Sequence, residues 1–195
     1  MDTNKNMASE HGRGQYSPRP AGDNPEWYTP RHVIELAHAV MGHIGLDPAS
    51  CAAANEVVCA RRYYTQEDDG LALEWGDRTV WCNPPYGRGG LTGKWYDKMV
   101  HEWEADNFRE GMFLANATTE VKWFQHALRR FPILLFAGRL KFWHPSRPHR
   151  NGFFGSALVY FPPKNSSSRF LSESSSRFLS HAAPLGFVTR PADSE

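Results

Sequence analysis

The chain has 195 residues, and its 22 basic and 21 acidic side chains leave a formal net charge of only +1. That length suits one domain with its own core, and no apolar run approaches the length of a membrane span or of a signal peptide, so we expect a soluble cytoplasmic protein. Three cysteines without C-x-x-C spacing exclude a disulfide framework and make a cysteine-based zinc site improbable.

The N-terminal residues 1–23 are polar and charged, and we expect them to be disordered because they have almost nothing to bury. In chain order, the patterns then predict a helix over 30–41, a strand over 43–47, a helix over 49–58, strands over 61–65 and 79–82, a helix over 95–103, a strand over 111–115, a helix over 121–130, and strands over 133–137, 140–143 and 156–161. Thr29 is the expected cap of the first helix, with Pro30 in its first turn. This alternation predicts an α/β fold with a mostly parallel sheet, helices on both faces and antiparallel closing strands.

The C-terminal residues 164–195 are rich in serine and carry one seven-residue sequence twice, at 166–172 and 174–180. We interpret this as a local duplication in a disordered tail, because a solenoid needs longer and more numerous repeats. Docking of the repeated Arg-Phe-Leu to a partner is the alternative. The folded domain is therefore expected to span residues 24–163.

Polar clusters follow three of the predicted strands, at Asp47–Ser50, Glu67–Leu71 and Asn83–Tyr86. Ligands of open parallel sheets bind beyond the carboxyl ends of the strands, so we expect these clusters to form one site. The Asn-Pro-Pro-Tyr sequence is the most specific of them, since chance would produce it in only about one chain in a thousand of this length. The plainer alternative is a Pro-Pro turn that closes a strand, with Tyr86 packed as a lid.

Asn-Pro-Pro-Tyr after an apolar strand resembles the motif of amino-methyltransferases that use S-adenosylmethionine. Further segments resemble the compact phage-type DNA N6-adenine methyltransferases, the Dam family: Trp27–Pro30, Leu46–Ser50, Asn55, Tyr64–Thr65, Glu67–Leu71, Trp75, Gly138–Phe142 and Gly155–Leu158. The resemblance covers about residues 24–163. It implies a compact Rossmann-like methyltransferase fold, an S-adenosylmethionine cofactor, a DNA substrate and a phage or prophage origin.

The chemistry explains these residue types. An exocyclic adenine amine is a weak nucleophile because its lone pair is delocalised, so a site must support the nitrogen as it becomes tetrahedral. The Asn83 side-chain oxygen and the Pro84 carbonyl would accept its two hydrogens, and Pro84 and Pro85 fix the direction of that carbonyl. Tyr86 offers a flat face to a base that has left the duplex.

The segment after the first predicted strand lacks the Gly-x-Gly turn that binds the cofactor in the broader superfamily, although small side chains follow Asp47. The predicted cofactor contacts are Thr29, Pro30, Asp47, Pro48, Asp68 and Asp69. Which acidic residue of 67–69 would contact the ribose and which the adenine of the cofactor stays open. Each predicted contact has a structural alternative. Asp47 could cap the following helix, Thr29 and Pro30 could serve only the helix start, and the acidic run could be a solvated loop.

A basic segment supplies the expected DNA contacts. Between Arg139 and Arg150 there is no carboxylate, and aromatic residues alternate with the charges. The predicted DNA-binding residues are Arg88, Arg139, Lys141, His144, Arg147, His149 and Arg150. A surface loop charged for solubility is the alternative, and we expect no metal at these histidines because no cysteine or acidic partner has ligand spacing.

The sequence therefore predicts a single-domain, adenine-specific DNA methyltransferase that acts on double-stranded DNA in the cytoplasm of a bacterial host. Its recognition sequence and oligomeric state stay open. One alternative is a methyltransferase for another planar amine or amide, such as an RNA base or protein glutamine, because the tetrapeptide selects the geometry of the nitrogen. Another is a non-catalytic DNA-binding relative, as the missing glycines suggest.

Overall fold

The computed structural model describes residues 27–76, 78–86, 89–145, 147–151, 154–164 and 168–191, with the backbone alone at 147–151 and 168–172. The arm 1–23, which we expected to be disordered, lies outside these ranges, as does Arg88. The helices are α1 (Arg31–Met41), α2 (Ala52–Val58), α3 (Leu91–Glu104), α4 (Lys122–Arg130) and α5 (Ser168–Ala182), and a 3-10 turn covers Ala183–Leu185. The strands are β1 (Leu46–Asp47), β2 (Arg62–Tyr63), β3 (Thr79–Cys82), β4 (Glu110–Asn116), β5 (Ile133–Phe136), β6 (Lys141–His144), β7 (Arg147–Asn151), β8 (Ser156–Phe161) and β9 (Gly186–Thr189).

Seven of the described strands form one sheet in the order β2-β1-β3-β4-β8-β5-β9. β2, β1, β3 and β4 are parallel to one another, whereas β8 runs antiparallel to β4 and β5, and β9 runs antiparallel to β5. The predicted mixed sheet is therefore confirmed. The predicted strand at 140–143 differs, because β6 pairs with β7 in a separate two-stranded hairpin.

Both faces of the sheet are covered, and most residues of its central strands are apolar and buried. On β3, Trp81 packs with residues of α1, while Val80 and Cys82 pack with residues of α3. All four residues of β3 are buried, as expected for a strand between two helical layers. In the described part of the chain, no helix combines the length and the apolar character needed to cross a membrane.

The C-terminal segment folds, so the prediction of a disordered tail is wrong for residues 168–191. Ser174, Phe178 and Ala182 follow one another at intervals of four residues and are almost completely buried. This spacing gives α5 one buried face, from which Phe178 and Ala182 join the apolar core beside α1 and the sheet. β9 then adds an edge strand beside β5. The serine-rich composition concealed this buried face.

The start of α1 also differs from the prediction. Pro30 is the N-terminal capping residue, with extended backbone, and no side chain caps this helix end. Thr29 lies one residue earlier and is only 4% exposed. Its carbonyl oxygen accepts a hydrogen bond from the indole of Trp143, which fixes the chain direction before the helix begins.

Candidate active site

The carboxyl ends of β1 and β3 border one cavity of about 510 Å³, together with the loop that follows β2. All three polar clusters singled out in the sequence contribute to its wall. Residues 27–29, α2 through Ala54 and Val58, and α3 through Leu91 and Trp95 also contribute to the wall. A cavity of this volume suits a small organic molecule.

The structure brings most of the predicted catalytic and cofactor residues together. Those that line the cavity are Thr29, Asp47, Pro48, Asp69, Asn83, Pro84, Pro85 and Tyr86. Pro30 and Asp68 are not part of the wall. The Asp68 carboxylate instead accepts hydrogen bonds from the backbone N–H and the hydroxyl of Thr65, at 2.8 and 2.9 Å. These bonds lower its pKa, and they make Asp68 a loop-stabilising residue.

The Asn83 side chain is held in one orientation. Its amide nitrogen donates to the Trp27 carbonyl oxygen at 3.3 Å, and its amide oxygen accepts from the Tyr86 hydroxyl at 3.1 Å. Burial raises the pKa of Tyr86 well above its ordinary value, so the hydroxyl stays protonated and can donate. A carbonyl oxygen has two lone pairs, and the Asn83 oxygen can therefore accept a second hydrogen bond.

Asp47 is a buried carboxyl group, 2% exposed, at the end of β1. Burial raises its pKa from 3.8 to about 7, although a hydrogen bond from the backbone N–H of Ala49, at 3.2 Å, acts in the opposite direction. It does not cap α2, because that helix begins later, with Cys51 accepting from the backbone N–H of Ala54 at 3.5 Å. The helix-cap alternative for Asp47 is excluded.

The loop after β2 lies tightly against the turn after β1. A Cβ atom at Gly70 would lie 2.0 Å from the Pro48 carbonyl oxygen, so only glycine fits there. The Trp75 indole donates to the Gly70 carbonyl at 2.7 Å. Asp69, beside it, has left-handed backbone with φ 54°, which is uncommon for a residue other than glycine. The Asp69 carboxylate accepts from the backbone N–H of Leu71 at 3.3 Å, and the residue lies on the cavity wall.

Several aromatic wall residues had no predicted role. Trp27, Tyr28, Trp81 and Trp95 all line the cavity. The sequence signal for Trp27 and Tyr28 was their position directly before Thr29, within the motif segment. Trp95 carried the pattern of an ordinary core residue on an amphipathic helix, and nothing in its spacing distinguished it.

Six of the seven predicted DNA-binding residues lie on or beside the β6–β7 hairpin, whereas Arg88 lies outside the described residues. Lys141 and His144 lie on β6, Arg139 precedes it, and the backbones of Arg147, His149 and Arg150 form β7. Arg139 and Lys141 are exposed. His144 is partly buried and stacks on Tyr28, with ring centroids 5.8 Å apart. The hairpin therefore borders the cavity wall.

Comparison with known proteins gives the family. The family described as DNA N-6-adenine-methyltransferase (Dam) matches residues 17–182. This chain belongs to the Dam family. The Dam match continues beyond residue 163, the expected end of the resemblance, and stops where α5 ends, in agreement with the folded C-terminal segment.

A Dam relative from Escherichia phage T1, named DNA N-6-adenine-methyltransferase, is 31% identical over 126 residues. The match covers 64% of this chain and 49% of the phage protein. This chain thus spans about half the length of that relative. Among the described residues, no group of three or more histidine, cysteine or acidic side chains could hold a metal ion.

Proposed function

We propose that this chain transfers a methyl group from S-adenosylmethionine to the N6 amine of adenine in double-stranded DNA. One observation carries the proposal. The Asn83–Tyr86 segment lines a cavity at the end of a buried parallel strand, and the Asn83 amide is oriented so that its oxygen is available as an acceptor. Membership of the Dam family supports this assignment.

The residues present fit S-adenosylmethionine, whose sulfur is positively charged. Asp47 is buried, and no cationic side chain is among the groups that determine its pKa. A buried carboxylate is costly unless it is paired, and a cationic ligand would offset that cost. Thr29, Asp47, Pro48 and Asp69 would hold the cofactor. When bound, it supplies a methyl group whose C–S bond breaks as the new N–C bond forms, leaving a neutral thioether.

The Asn83–Tyr86 segment would act on the target amine. The Asn83 side-chain oxygen and the Pro84 carbonyl accept the two N–H groups and favour the tetrahedral nitrogen. Both proline rings fix φ near −65°, so the Pro84 carbonyl keeps its direction during the reaction. The Tyr86 ring supports the base by stacking. The amine proton is lost to solvent after the transfer, so no general base is required.

Double-stranded DNA is the substrate that the hairpin favours. Its basic residues can contact phosphates, and phosphate contacts provide most of the sequence-independent affinity for DNA. The amine of a stacked base is not accessible to a group at the bottom of a cavity, so the target adenine must leave the duplex. The reaction would run in the cytoplasm of a bacterial host.

Expression in a bacterial host that lacks DNA methylation would test the proposal, with modified bases mapped by long-read sequencing. We expect N6-methyladenine at one short sequence in cells with the wild-type chain. Cells with Asn83→Ala are the matched control and should contain none. Unmodified DNA in both strains, at equal protein levels, would overturn the proposal.

A further inference from the structure

Residues 27–29, which we call the strap, connect Asn83 to the hairpin through three consecutive carbonyl groups. The Trp27 carbonyl accepts from the Asn83 side chain at 3.3 Å. The Tyr28 carbonyl accepts from the backbone N–H of Trp143 at 3.1 Å, and the Thr29 carbonyl accepts from the Trp143 indole at 2.9 Å. The backbone N–H of Tyr28 also donates to the Trp143 carbonyl at 2.8 Å. One hairpin residue therefore makes three hydrogen bonds to the strap.

The bond from Asn83 to the strap determines which end of the amide faces the cavity. In an asparagine side chain, the NH2 group is a hydrogen-bond donor and the carbonyl oxygen is a hydrogen-bond acceptor. With the Trp27 carbonyl in place, the NH2 end is directed to the strap and the oxygen to Tyr86. If the strap moves, the Asn83 amide can rotate and present its NH2 group to the target amine. The amine would then face a donor in place of the acceptor that its N–H group needs.

Trp143 is well placed to hold the strap. Tyr28 packs edge-on against the Trp143 ring, with centroids 5.0 Å apart, so ring contact adds to the three hydrogen bonds. A two-stranded hairpin has little stability of its own. The β6–β7 hairpin is secured at its base by Leu140 and Phe142, which are buried in the core beside α1. The contact between Trp143 and the strap thus connects a hairpin that is anchored in the core to the segment that holds Asn83.

We infer that Trp143 is a positioning residue, which holds the strap so that Asn83 presents its oxygen to the amine. Through Trp143, the hairpin that we propose to contact DNA is attached directly to the strap that orients Asn83. This inference rests on the proposed function for its kinetic consequences. Its structural part, the orientation of the Asn83 amide, does not depend on activity.

Trp143→Phe removes the indole N–H and keeps an aromatic ring. Its matched control is Trp103→Phe, because the Trp103 indole donates to the Pro162 carbonyl at a similar distance, 2.8 Å, and Trp103 is not part of the cavity wall. We expect kcat to fall about tenfold in Trp143→Phe, since small misplacements of reacting groups are costly, with less than a twofold change in the KM for DNA. Trp103→Phe should change neither constant by more than about twofold.

The side-chain amide signal of Asn83 in ¹H–¹⁵N spectra of the free protein gives a readout without turnover. Asn83→Ala identifies this signal. It should shift in Trp143→Phe and stay unchanged in Trp103→Phe. If Trp143→Phe does not fold, Trp143→Tyr removes the same donor and keeps a larger ring.

Equal kcat values and an unmoved Asn83 signal in the two variants would overturn the inference. It would also be overturned if Trp143→Phe lost DNA affinity with kcat unchanged, because Trp143 would then be a direct DNA contact. A wild-type protein without methyl transfer would refute the proposed function alone, and the Asn83 signal would still decide whether Trp143 positions the amide.

Discussion

Two buried carboxyl groups at opposite ends of the sheet have different environments. Asp47, at the carboxyl end of β1, and Glu110, at the amino end of β4, are each 2% exposed. Glu110 accepts a 2.5 Å hydrogen bond from the Tyr160 hydroxyl and lies 3.4 Å from the Arg177 guanidinium. The Asp47 carboxyl group accepts from the backbone N–H of Ala49 in its own turn, at 3.2 Å, and burial raises its pKa to about 7.

The different surroundings of Asp47 and Glu110 indicate different roles for the two ends of the sheet. A buried carboxylate with a cation and a hydroxyl beside it is satisfied by the protein and contributes to structure, here by attaching α5 to the sheet. A buried carboxylate without a cation lowers stability and is retained where a ligand supplies the missing charge. We therefore propose that the cavity end of the sheet serves catalysis, whereas Glu110 at the opposite end contributes to stability.

The largest effect is expected at the cavity end. Asn83→Ala should lower kcat by about 10³-fold or more, because it removes an acceptor that stabilises the transition state. Its free energy of unfolding should change by no more than about 1 kcal/mol. Calorimetry should show S-adenosylmethionine binding within twofold of wild type. Turnover near the wild-type rate would contradict the assigned role of Asn83.

On α5 we expect a substitution to lower stability and to leave catalysis unchanged. Phe178 is completely buried and stacks on Tyr160, with centroids 4.5 Å apart. Phe178→Ala should therefore lower the free energy of unfolding in urea by about 3–5 kcal/mol and leave kcat of the folded fraction unchanged.

Phe187, in the same C-terminal segment, is 70% exposed and provides the control for Phe178. Phe187→Ala should change stability by no more than about 0.5 kcal/mol. Equal effects of the two substitutions would show that α5 is a loosely attached appendage.

Asp47 should make stability depend on pH. Its folded pKa of about 7 lies above the ordinary value of 3.8, so the native state holds this proton more tightly than the unfolded chain. The resulting stabilisation is complete below about pH 4 and is lost as the pH rises through 7. Asp47→Asn should remove this loss, and at pH 8 it should be more stable than wild type by about 2–4 kcal/mol.

Urea unfolding of both proteins at pH 5 and pH 8 would measure this effect. The difference between Asp47→Asn and wild type should be larger at pH 8. The same difference at both pH values would mean that the Asp47 carboxyl group titrates as if it were exposed.

The smallest effect concerns the hairpin. Replacing Arg147 and Arg150 by glutamine should reduce the slope of log affinity against log salt concentration by about 1 to 2, because each lost phosphate contact removes about 0.9 from the slope. Arg129→Gln, at an exposed position on α4, is the control and should leave the slope unchanged. Equal slopes for the wild type, the variant without Arg147 and Arg150, and Arg129→Gln would exclude phosphate contacts by Arg147 and Arg150.

The sequence was sufficient to predict that the candidate site residues lie together, but not the contacts around them. Asp47 and Asn83 follow apolar strands directly, and the carboxyl ends of parallel strands converge, so local patterns were sufficient to bring them together. The contact between Thr29 and Trp143 joins residues 114 positions apart, and no local pattern encodes it. The same holds for α5, whose buried face is visible only once the sheet that it covers is known.

The central claim is that the Asn83–Tyr86 segment binds the exocyclic amine of adenine for methyl transfer. The most direct test incubates the purified protein with unmethylated double-stranded DNA and isotope-labelled S-adenosylmethionine, followed by mass spectrometry of the digested nucleosides. We predict that the labelled methyl group is recovered in N6-methyladenine. Label in cytosine or in protein, or unlabelled nucleosides from a folded protein that binds the cofactor, would contradict the claim.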